Sequence, residues 1–531
     1  MQDSRYVKII FILLIGIAIF YNLDKRPFFG VEGRWVEGAR EMSLKSSWFV
    51  PTINFEPHIT KPLIPFWLIK ITGEILGYSE FSARLPGALL ALLSVGIFYL
   101  LAKKLFEKEW AFWGTIFYGV SLGFVQFARL SQSEIYQLFG IVSAIAIYVY
   151  YREKISFWGY FLFVLALLFG ALSKGITAIA VLTFFVFIDI IIYRRFYHFN
   201  VKLILSLLIG VFIYFFHYYL IAKELNTELP FYLWFRENVK QAIEPYDNLR
   251  PFYIYLYYWP LWVAPLSLFL LGALYQTLKN FKNLNLDQKV FLITNFAIFF
   301  LFTFAKARRD YYILPILPFS IILITYYLKN NLRNNFKILL IKVYIFLSYI
   351  LPFLTLLSLF WLKKEGYTIY KGTLIFTILV FFFQIWSLFV LSKKTSALYS
   401  IILVFFLVEI LFFAYLQPVY SISTEKSAGI FVKNLMENIP SLRVCSFSPY
   451  KKPVANFYFY AKIKKKVIDY NNFEEALKNC DVIVVRKFLD QKFIERSKNF
   501  GFLLKSFEDK KEFSKNYYIL YNSSILKTPS F

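Results

Sequence analysis

Charged residues that could carry out group transfer interrupt an otherwise apolar chain. Residues 30–42 read GVEGRWVEGAREM and place Glu32, Arg34 and Glu37 directly after the first apolar run. A carboxylate can take the proton of an attacking hydroxyl, and a cation can neutralise charge that develops on a leaving group. Further charged residues lie in or beside the later loops: Lys61, Glu134, Lys174, Arg308 and Arg309.

The composition indicates that membrane helices position these residues. The chain has 531 residues, 59% of them hydrophobic, against about 45–50% in soluble domains. The net charge of +26 does not indicate a nucleic-acid partner, because most Lys and Arg flank apolar runs and anchor helix ends. The sequence has no glycine-rich phosphate loop, which argues against an NTP-driven pump.

Apolar runs of spanning length predict about thirteen transmembrane helices. They lie near 7–23, 84–102, 110–127, 134–151, 157–172, 175–193, 202–221, 252–274, 288–305, 311–328, 337–361, 371–391 and 397–417. The loops after the even-numbered spans are basic, which predicts that they and the N-terminus are cytoplasmic. The first run lacks a small-residue cleavage site, so we expect a retained anchor helix rather than a cleaved signal peptide.

This sidedness brings the candidate residues together. The loops 24–83 and 222–251, the short connections at Ser133–Glu134, Ser173–Lys174 and Lys306–Asp310, and the tail are all predicted to face outward. Two loop stretches, 33–45 and 62–76, have the spacing of amphipathic helices that lie in the membrane interface. The sequence therefore predicts a membrane-embedded site that opens to the outer face.

The tail differs in character from the membrane part. From about residue 418 it alternates helix-like stretches with strand-like runs such as DVIVV and YYILY, which predicts a small α/β domain over 418–531 after a membrane domain over 1–417. Cys445 and Cys480 either form a disulfide in an oxidising compartment or remain buried thiols. His58, His198 and His217 are scattered without metal-ligand spacing, so no cofactor is predicted and a divalent metal has no support in the sequence.

A series of short motifs runs through the membrane part in a recognisable order. They are Val31-Glu32-Gly33-Arg34-Trp35-Val36-Glu37, Arg40-Glu41-Met42, Val50-Pro51, Asn54, Lys61-Pro62, Arg84-Leu85-Pro86, Ser133-Glu134, Lys174-Gly175-Ile176, Glu237-Asn238, and Tyr312 with Pro315 and Pro318. In this order they resemble the motifs of the lipid A aminoarabinose transferases and the bacterial protein-mannosyltransferase-like glycosyltransferases of the GT-C class.

The resemblance implies a fold, a reaction and roles for the candidates. The fold would be a GT-C-like bundle of about thirteen transmembrane helices with outer interfacial helices. The reaction would move a sugar, with inversion, from a polyprenyl-phosphate donor to lipid A or lipopolysaccharide core at the outer face of the bacterial inner membrane. Lys61, Arg34, Lys174, Arg308 and Arg309 would neutralise the donor phosphate. Tyr312, Glu237 and Asn238 would complete the substrate-binding set.

One departure from the family pattern concerns the base. The pattern begins with Asp, where this chain has Val31, and its second acidic position is Glu134. Three explanations stay open: Glu134, Glu32 or Glu37 acts as the base, the acceptor is already ionised and needs none, or the protein has lost activity. A family Arg in the second large loop also aligns with Gln241, and an expected His is absent nearby.

Two other functions remain in view. A protein hydroxyl could be the acceptor, as in protein O-mannosyltransferases. A non-catalytic protein could instead bind or flip lipid-linked sugars, although such transporters carry ionisable residues in helices broken at the mid-membrane. The charges here cluster at one edge, which favours an enzyme.

Overall fold

The computed structural model describes residues 4–245, 248–330, 335–365, 369, 371–391, 397–421, 423–448, 451–509 and 515–527. They form two compact units. The first, which we call the helical unit, comprises Met1–Leu23, Thr60–Pro65 and Arg84–Tyr420. The second, the α/β unit, comprises Asp24–Ile59, Phe66–Ala83 and Ser421–Phe531.

The helical unit is built from apolar helices at every position where the sequence predicts a span. Within the described residues, eight helices are long and apolar enough to cross a membrane, or ten if each of two bent pairs counts as one span, and three shorter apolar helices occupy the remaining predicted segments. The α-helices are Ser4–Phe20, Glu80–Leu105, Lys108–Gly119, Leu122–Ala128, Ser133–Tyr151, Phe157–Lys174, Thr177–Tyr193, Val201–Leu225, Leu229–Phe235, Gln241–Ile243, Ile254–Val263, Ser267–Lys279, Leu286–Phe304, Leu317–Asn330, Asn335–Lys364, Lys371–Leu391, Ala397–Leu411 and Gln417–Tyr420. The chain is a multi-pass membrane protein.

Two predicted spans are not single helices. The segment near 110–127 bends by 59° between Gly119 and Leu122, and the segment near 252–274 bends by 112° between Val263 and Ser267. Pro265 lacks an N–H and disfavours helical backbone at the residue before it, so Ala264 is extended with ψ 145. The two breaks meet, because the Leu122 N–H donates to the Ala264 carbonyl at 2.7 Å.

A buried ion network joins several helix ends of the helical unit. Asp189 is fully buried and accepts hydrogen bonds from Arg195 at 2.7 Å, Arg152 at 3.3 Å and the Tyr148 hydroxyl at 2.8 Å. Arg152 also donates to Asp287 at 2.7 Å. Each buried charge is thereby paired, which avoids the cost of an isolated ion in an apolar interior.

The α/β unit contains a five-stranded mixed sheet. Its strands are Val444–Phe447, Ile468–Tyr470, Val482–Arg486, Phe502–Phe507 and Tyr517–Asn522. In chain order the first three are parallel, with the first between the other two, and the fifth is antiparallel to both the third and the fourth. The helices of this unit are Glu32–Leu44, Ile64–Leu76, Thr424–Asn438, Ala455–Ala461, Phe473–Asn479 and Gln491–Asn499, and a small hairpin pairs Thr52–Ile53 with Glu56–Pro57. The predicted helix and strand segments of the tail are confirmed.

The α/β unit includes more of the chain than the predicted tail domain. Residues 24–59 and 66–83, predicted as an outer loop of the membrane domain, cluster with residues 421–531. Asn54 explains part of this, because its amide donates to the Val467 carbonyl at 2.9 Å and accepts from the Val467 N–H at 2.8 Å. Of the two alternatives for Cys445 and Cys480, the structure has the disulfide, with their Cα atoms 6.0 Å apart.

Candidate active site

Glu134 and Lys174 meet because two consecutive helices form an antiparallel hairpin. Glu134 lies in the first turn of Ser133–Tyr151, and Lys174 is the last residue of Phe157–Lys174. Gly140 and Gly170 let these helices approach closely, since a Cβ on Gly140 would lie 2.5 Å from the Gly170 nitrogen. The Lys174 ammonium consequently lies 3.4 Å from Glu134 Oε1. Each charge also suits the end of the helix that carries it.

The Glu134 carboxylate has an unused oxygen. Its side chain is only 4% exposed, and among the described residues Oε2 is buried without a hydrogen-bond partner. An aromatic wall lies opposite, where the Lys174 ammonium is 5.1 Å from the ring centres of both Tyr311 and Tyr312. Such a carboxylate oxygen, held in place and shielded from water, is suited to accept a proton from a bound hydroxyl.

A second cation lies in the same unit. Lys61 Nζ is 2.9 Å from Glu237 Oε2, and Arg236 Nη2 is 3.1 Å from Glu237 Oε1. The Lys61 side chain is 38% exposed, whereas that of Glu237 is 11% exposed, so the lysine is the accessible member of the pair. A phosphate that reaches this point meets a solvated ammonium whose direction a buried carboxylate fixes.

The neighbouring Asn238 contacts the turn that follows Lys174. Its Oδ1 accepts a hydrogen bond from the Ile176 N–H at 3.1 Å, and its Nδ2 donates to the Trp234 carbonyl at 2.9 Å. Both Glu237 and Asn238 lie in the π-helical turn Arg236–Lys240. π-helical turns of this kind are frequent at functional sites.

The two adjacent arginines differ in what they bind. Arg308 donates to the backbone carbonyls of Thr303 at 3.0 Å and Arg250 at 3.1 Å, so its guanidinium connects the end of the helix Leu286–Phe304 to the loop before Ile254. Arg309 donates to the Tyr311 hydroxyl at 3.2 Å and to the Asn248 side chain. Arg309 therefore lies beside the aromatic wall, whereas Arg308 stabilises the loop after Leu286–Phe304.

Three predicted site residues lie in the α/β unit. Glu37 is fully buried, and both its oxygens accept from Arg40, at 2.8 Å from Nε and 2.7 Å from Nη2. Burial raises the pKa of Glu37 to about 7, although the Arg40 guanidinium acts in the opposite direction. Glu32 is also fully buried and accepts from the Phe29 N–H at 3.0 Å, while Arg34 is half-buried on the same helix. The contacts of Glu37 are those of a structural ion pair.

The helix Glu32–Leu44 begins one residue before the stretch predicted as interfacial, and most of its residues are buried within the unit. A Cβ on Gly33 would lie 1.8 Å from the Asn456 side-chain oxygen, so only glycine permits this approach to Ala455–Ala461. Arg40 Nη2 also donates to the Ile463 carbonyl at 2.7 Å. The helix is therefore held by the C-terminal part of the chain.

Sequence reasoning missed several residues of these clusters. Tyr311 and Asn248 contact Arg309 but stand outside the recognised motif positions. Tyr311 adjoins Tyr312 in the sequence, which could have indicated it, whereas Asn248 is 64 positions away from Tyr312. Glu41 belongs to the Arg40-Glu41-Met42 motif and is not among the predicted site residues. Its Oε2 accepts from the Thr52 hydroxyl at 2.6 Å and the Phe55 N–H at 2.8 Å, which fixes the small hairpin to the helix.

His198 has structural contacts within the helical unit. The His198 ring lies 2.8 Å from the Tyr160 hydroxyl and 3.0 Å from the Arg152 carbonyl. Over the described ranges, no group of three or more His, Cys, Asp and Glu side chains could hold a metal ion.

Comparisons with known proteins agree with the motif series. A family model described as dolichyl-phosphate-mannose-protein mannosyltransferase matches residues 60–221. Undecaprenyl phosphate-alpha-4-amino-4-deoxy-L-arabinose arabinosyl transferases are 24% identical over 369 residues in Wigglesworthia glossinidia brevipalpis and over 355 residues in Proteus mirabilis. An uncharacterized protein of Aquifex aeolicus is 26% identical over 344 residues. These matches cover 62–65% of this chain and 63–66% of the relatives, so less than two thirds of their length.

Solved structures show the fold over nearly the whole chain. ArnT from Cupriavidus metallidurans bound to undecaprenyl phosphate superposes with a TM-score of 0.74 at 15% identity, covering 97% of this chain and 98% of that one. The oligosaccharyltransferase AglB from Archaeoglobus fulgidus gives a TM-score of 0.52 at 12% identity, covering 98% of this chain and 75% of that one. The resemblance to aminoarabinose transferases and the GT-C-like helical fold with a small C-terminal sheet are confirmed.

Proposed function

We propose that this chain, an aminoarabinose-transferase-like protein of GT-C fold, is an inverting glycosyltransferase that uses a polyprenyl-phosphate-linked sugar as donor. Its acceptor is lipid A or lipopolysaccharide core, reached at the periplasmic face of the bacterial inner membrane. The N-terminus is then cytoplasmic and the α/β unit periplasmic, as the basic loops indicate. The similarity to undecaprenyl phosphate-aminoarabinose arabinosyl transferases, and to an ArnT structure bound to undecaprenyl phosphate, supports the donor class.

One observation carries the proposal. The unpartnered, buried Glu134 Oε2 lies beside an ammonium group that faces an aromatic wall, so a proton acceptor and a cation converge on one place. Transfer from a phosphate donor needs both, because a hydroxyl loses a proton while a phosphate gains charge. No comparable arrangement involves Glu37, whose oxygens are both occupied by Arg40.

The proposed sugar transfer forms one bond, breaks one bond and moves one proton. The acceptor hydroxyl oxygen forms a bond to the anomeric carbon from the face opposite the phosphate. The bond between the anomeric carbon and the phosphate oxygen breaks, and its electron pair leaves with the phosphate. Glu134 takes the hydroxyl proton, while Lys174 and Lys61 stabilise the departing phosphate, with Arg309 and Tyr312 as further phosphate contacts.

This assignment selects one explanation for Val31. The base is Glu134, which lies at the second acidic position of the family pattern and needs no carboxylate at position 31. Glu32 and Glu37 hold the helix Glu32–Leu44, Arg34 of the α/β unit has no assigned part in this step, and Arg308 stabilises its loop. Glu237 directs Lys61, and Asn238 lies beside the turn after Lys174.

The test is transfer by the purified protein in detergent. Undecaprenyl-phosphate-linked sugar with a radiolabel is offered with lipid A, with lipopolysaccharide core, or with a Ser/Thr-rich peptide. We expect labelled glycolipid, and Lys61→Ala should lower kcat/KM by about 10²–10³, the effect of removing one stabilising donor. Lys329→Ala is the matched control, because Lys329 pairs with Glu107 at 3.0 Å on an exposed surface, and it should change kcat/KM less than twofold.

The rival functions give different results in the same assay. Labelled peptide in place of labelled glycolipid would overturn the acceptor assignment in favour of a protein hydroxyl. No transfer to any acceptor, together with carrier-lipid binding, would favour a binding or flipping protein. Equal activity of Lys61→Ala and Lys329→Ala would remove Lys61 from the site.

A further inference from the structure

The turn that carries Lys174 depends on an unusual backbone. Gly175 has φ 118 and ψ −171, a conformation that L-residues with a Cβ rarely adopt. Its N–H closes the preceding helix by donating to the Ala171 carbonyl at 2.7 Å. Ile176 is the N-cap residue of the next helix, Thr177–Tyr193, and its N–H is one of the donors that a helix start leaves without an intrahelical partner.

Asn238 supplies what this turn lacks. Its Oδ1 accepts the Ile176 N–H at 3.1 Å, while its Nδ2 is fixed by the Trp234 carbonyl at 2.9 Å. Because the donor and acceptor ends of the amide have different partners, the amide has one orientation. It also lies close to the turn, since a Cβ on Gly175 would be 2.6 Å from Oδ1.

The anchor behind Asn238 is itself fixed. The Trp234 indole N–H donates to the Tyr214 hydroxyl at 3.0 Å, and Tyr214 is buried in the helix Val201–Leu225. The chain from that helix through Trp234 to Asn238 thus reaches the backbone directly after Lys174. The direction of a side chain at the end of a helix depends on the backbone that terminates the helix. The contact of Asn238 with the Ile176 N–H therefore affects the direction of the Lys174 ammonium.

The residue before Asn238 acts on the other cation. Glu237 holds Lys61 at 2.9 Å, and Asn238 contacts the backbone two residues after Lys174, so two consecutive residues of one π-helical turn bear on both lysines that we assign to the donor phosphate. From this arrangement we infer that Asn238 is a positioning residue that fixes the Lys174-Gly175-Ile176 turn and directs the Lys174 ammonium toward Glu134. The inference rests on the proposed function, in which Lys174 stabilises the leaving phosphate.

The test is a double-mutant cycle between residues 238 and 174. Asn238→Leu removes the amide at nearly constant volume, whereas Asn238→Asp keeps an oxygen that can accept the Ile176 N–H. Each is made alone and with Lys174→Met. Two quantities are measured in detergent: kcat/KM for glycolipid formation and the affinity for undecaprenyl phosphate alone.

We expect Asn238→Leu to lower both quantities about tenfold in the presence of Lys174 and less than twofold in Lys174→Met, because the asparagine acts through the lysine. Asn238→Asp should recover most of the loss. Asn285→Ala is the control for losing an unrelated asparagine contact, since Asn285 caps Leu286–Phe304 with a 2.8 Å bond from the Gln288 N–H. It should leave both quantities unchanged.

The other outcomes count against the positioning role of Asn238 or against the proposed function. An equal loss from Asn238→Leu in both backgrounds, or equal losses from Asn238→Leu and Asn238→Asp, would overturn the positioning role while leaving the proposed function intact. If the unsubstituted protein neither binds undecaprenyl phosphate nor transfers sugar, the proposed function fails and the inference fails with it. Should Asn238→Leu not fold, the smaller change Asn238→Ser is carried through the same cycle.

Discussion

Replacing Arg40 by Met should destabilise the α/β unit in a pH-dependent way. Arg40 is 5% exposed and is the ion-pair partner of a carboxylate with no exposed surface. The substitution removes two hydrogen bonds to Glu37 and one to the Ile463 carbonyl. It leaves the packing of an unbranched side chain largely in place.

The magnitude follows from the protonation of Glu37. With a pKa of about 7, Glu37 is protonated at pH 6 in both proteins, so the cost there is that of lost hydrogen bonds, about 1–2 kcal/mol. Above pH 7 the Glu37 carboxyl of the native protein ionises, because Arg40 stabilises the carboxylate. In the variant the carboxyl has no such partner and stays protonated, which lowers the free energy of unfolding relative to the native protein by about 1.4 kcal/mol for each pH unit above 7. At pH 8.5 this adds about 2 kcal/mol, which gives a total of about 3–4 kcal/mol, the usual cost of breaking a buried ion pair.

The assay is urea unfolding in detergent, followed by tryptophan fluorescence, at pH 6 and pH 8.5. Trp35 is buried on the same helix and is one of the eleven tryptophans that contribute to the signal. The control is Arg443→Met, which removes a surface pair with Asp481 and should leave the unfolding midpoint nearly unchanged at both pH values. Adding Glu37→Leu to Arg40→Met should restore most of the stability at pH 8.5. Equal destabilisation by Arg40→Met at the two pH values would refute the reasoning.

Three other changes test the same unit. A carboxyl whose pKa in the folded protein lies above the ordinary 4.5 contributes stability that is fully present below pH 4.5 and is lost as the pH rises to 7. Glu37→Gln should therefore make the melting temperature depend less on pH between pH 4.5 and 7. An unchanged pH dependence would contradict the burial of Glu37. Cys445→Ser removes a disulfide between residues 35 positions apart and should lower the free energy of unfolding of this unit by about 2–4 kcal/mol. Adding a reductant to the native protein should lower it by the same amount, and the absence of any effect from either change would contradict the prediction. Asn54→Ala removes two hydrogen bonds to the Val467 backbone and should lower the free energy of unfolding by about 1–3 kcal/mol. A protease should then cleave the 52–57 hairpin faster, and cleavage at the native rate would contradict the prediction.

The membrane helices were the most predictable part of the fold. Hydropathy located all thirteen segments, because a helix that crosses lipid must be apolar over its whole length. It could not show that two segments bend, since the bend at Ala264 arises from one proline inside a run that stays apolar. The tail domain was also predictable, because short strands and helices alternate there.

The grouping of residues 24–59 and 66–83 with the tail was not predictable. It depends on contacts such as the one from Asn54 to Val467, which are more than four hundred positions apart and carry no local sequence signal. The pairing of Glu37 with Arg40 is similar. Their spacing is compatible with an exposed helix face, and only packing against Ala455–Ala461 and the bond to Ile463 make it a buried structural pair.

The candidate site was predictable at the level of residue types. Motifs and sidedness selected Glu134, Lys61 and Lys174, and the helical unit contains all three. The sequence could not rank three carboxylates, because rank depends on which oxygen lacks a partner after folding. That property belongs to Glu134 Oε2 among the three carboxylates considered for the base.

The most direct test of the account compares Glu134→Gln with the native protein in the glycolipid transfer assay, together with undecaprenyl phosphate affinity. Gln keeps the size of the side chain and removes its capacity to accept a proton. The account predicts that transfer falls at least 10²-fold while the affinity for undecaprenyl phosphate stays within about threefold, because general-base catalysis contributes about 10²–10⁴ to the rate. Transfer by Glu134→Gln at the native rate would contradict the role of Glu134 as the base.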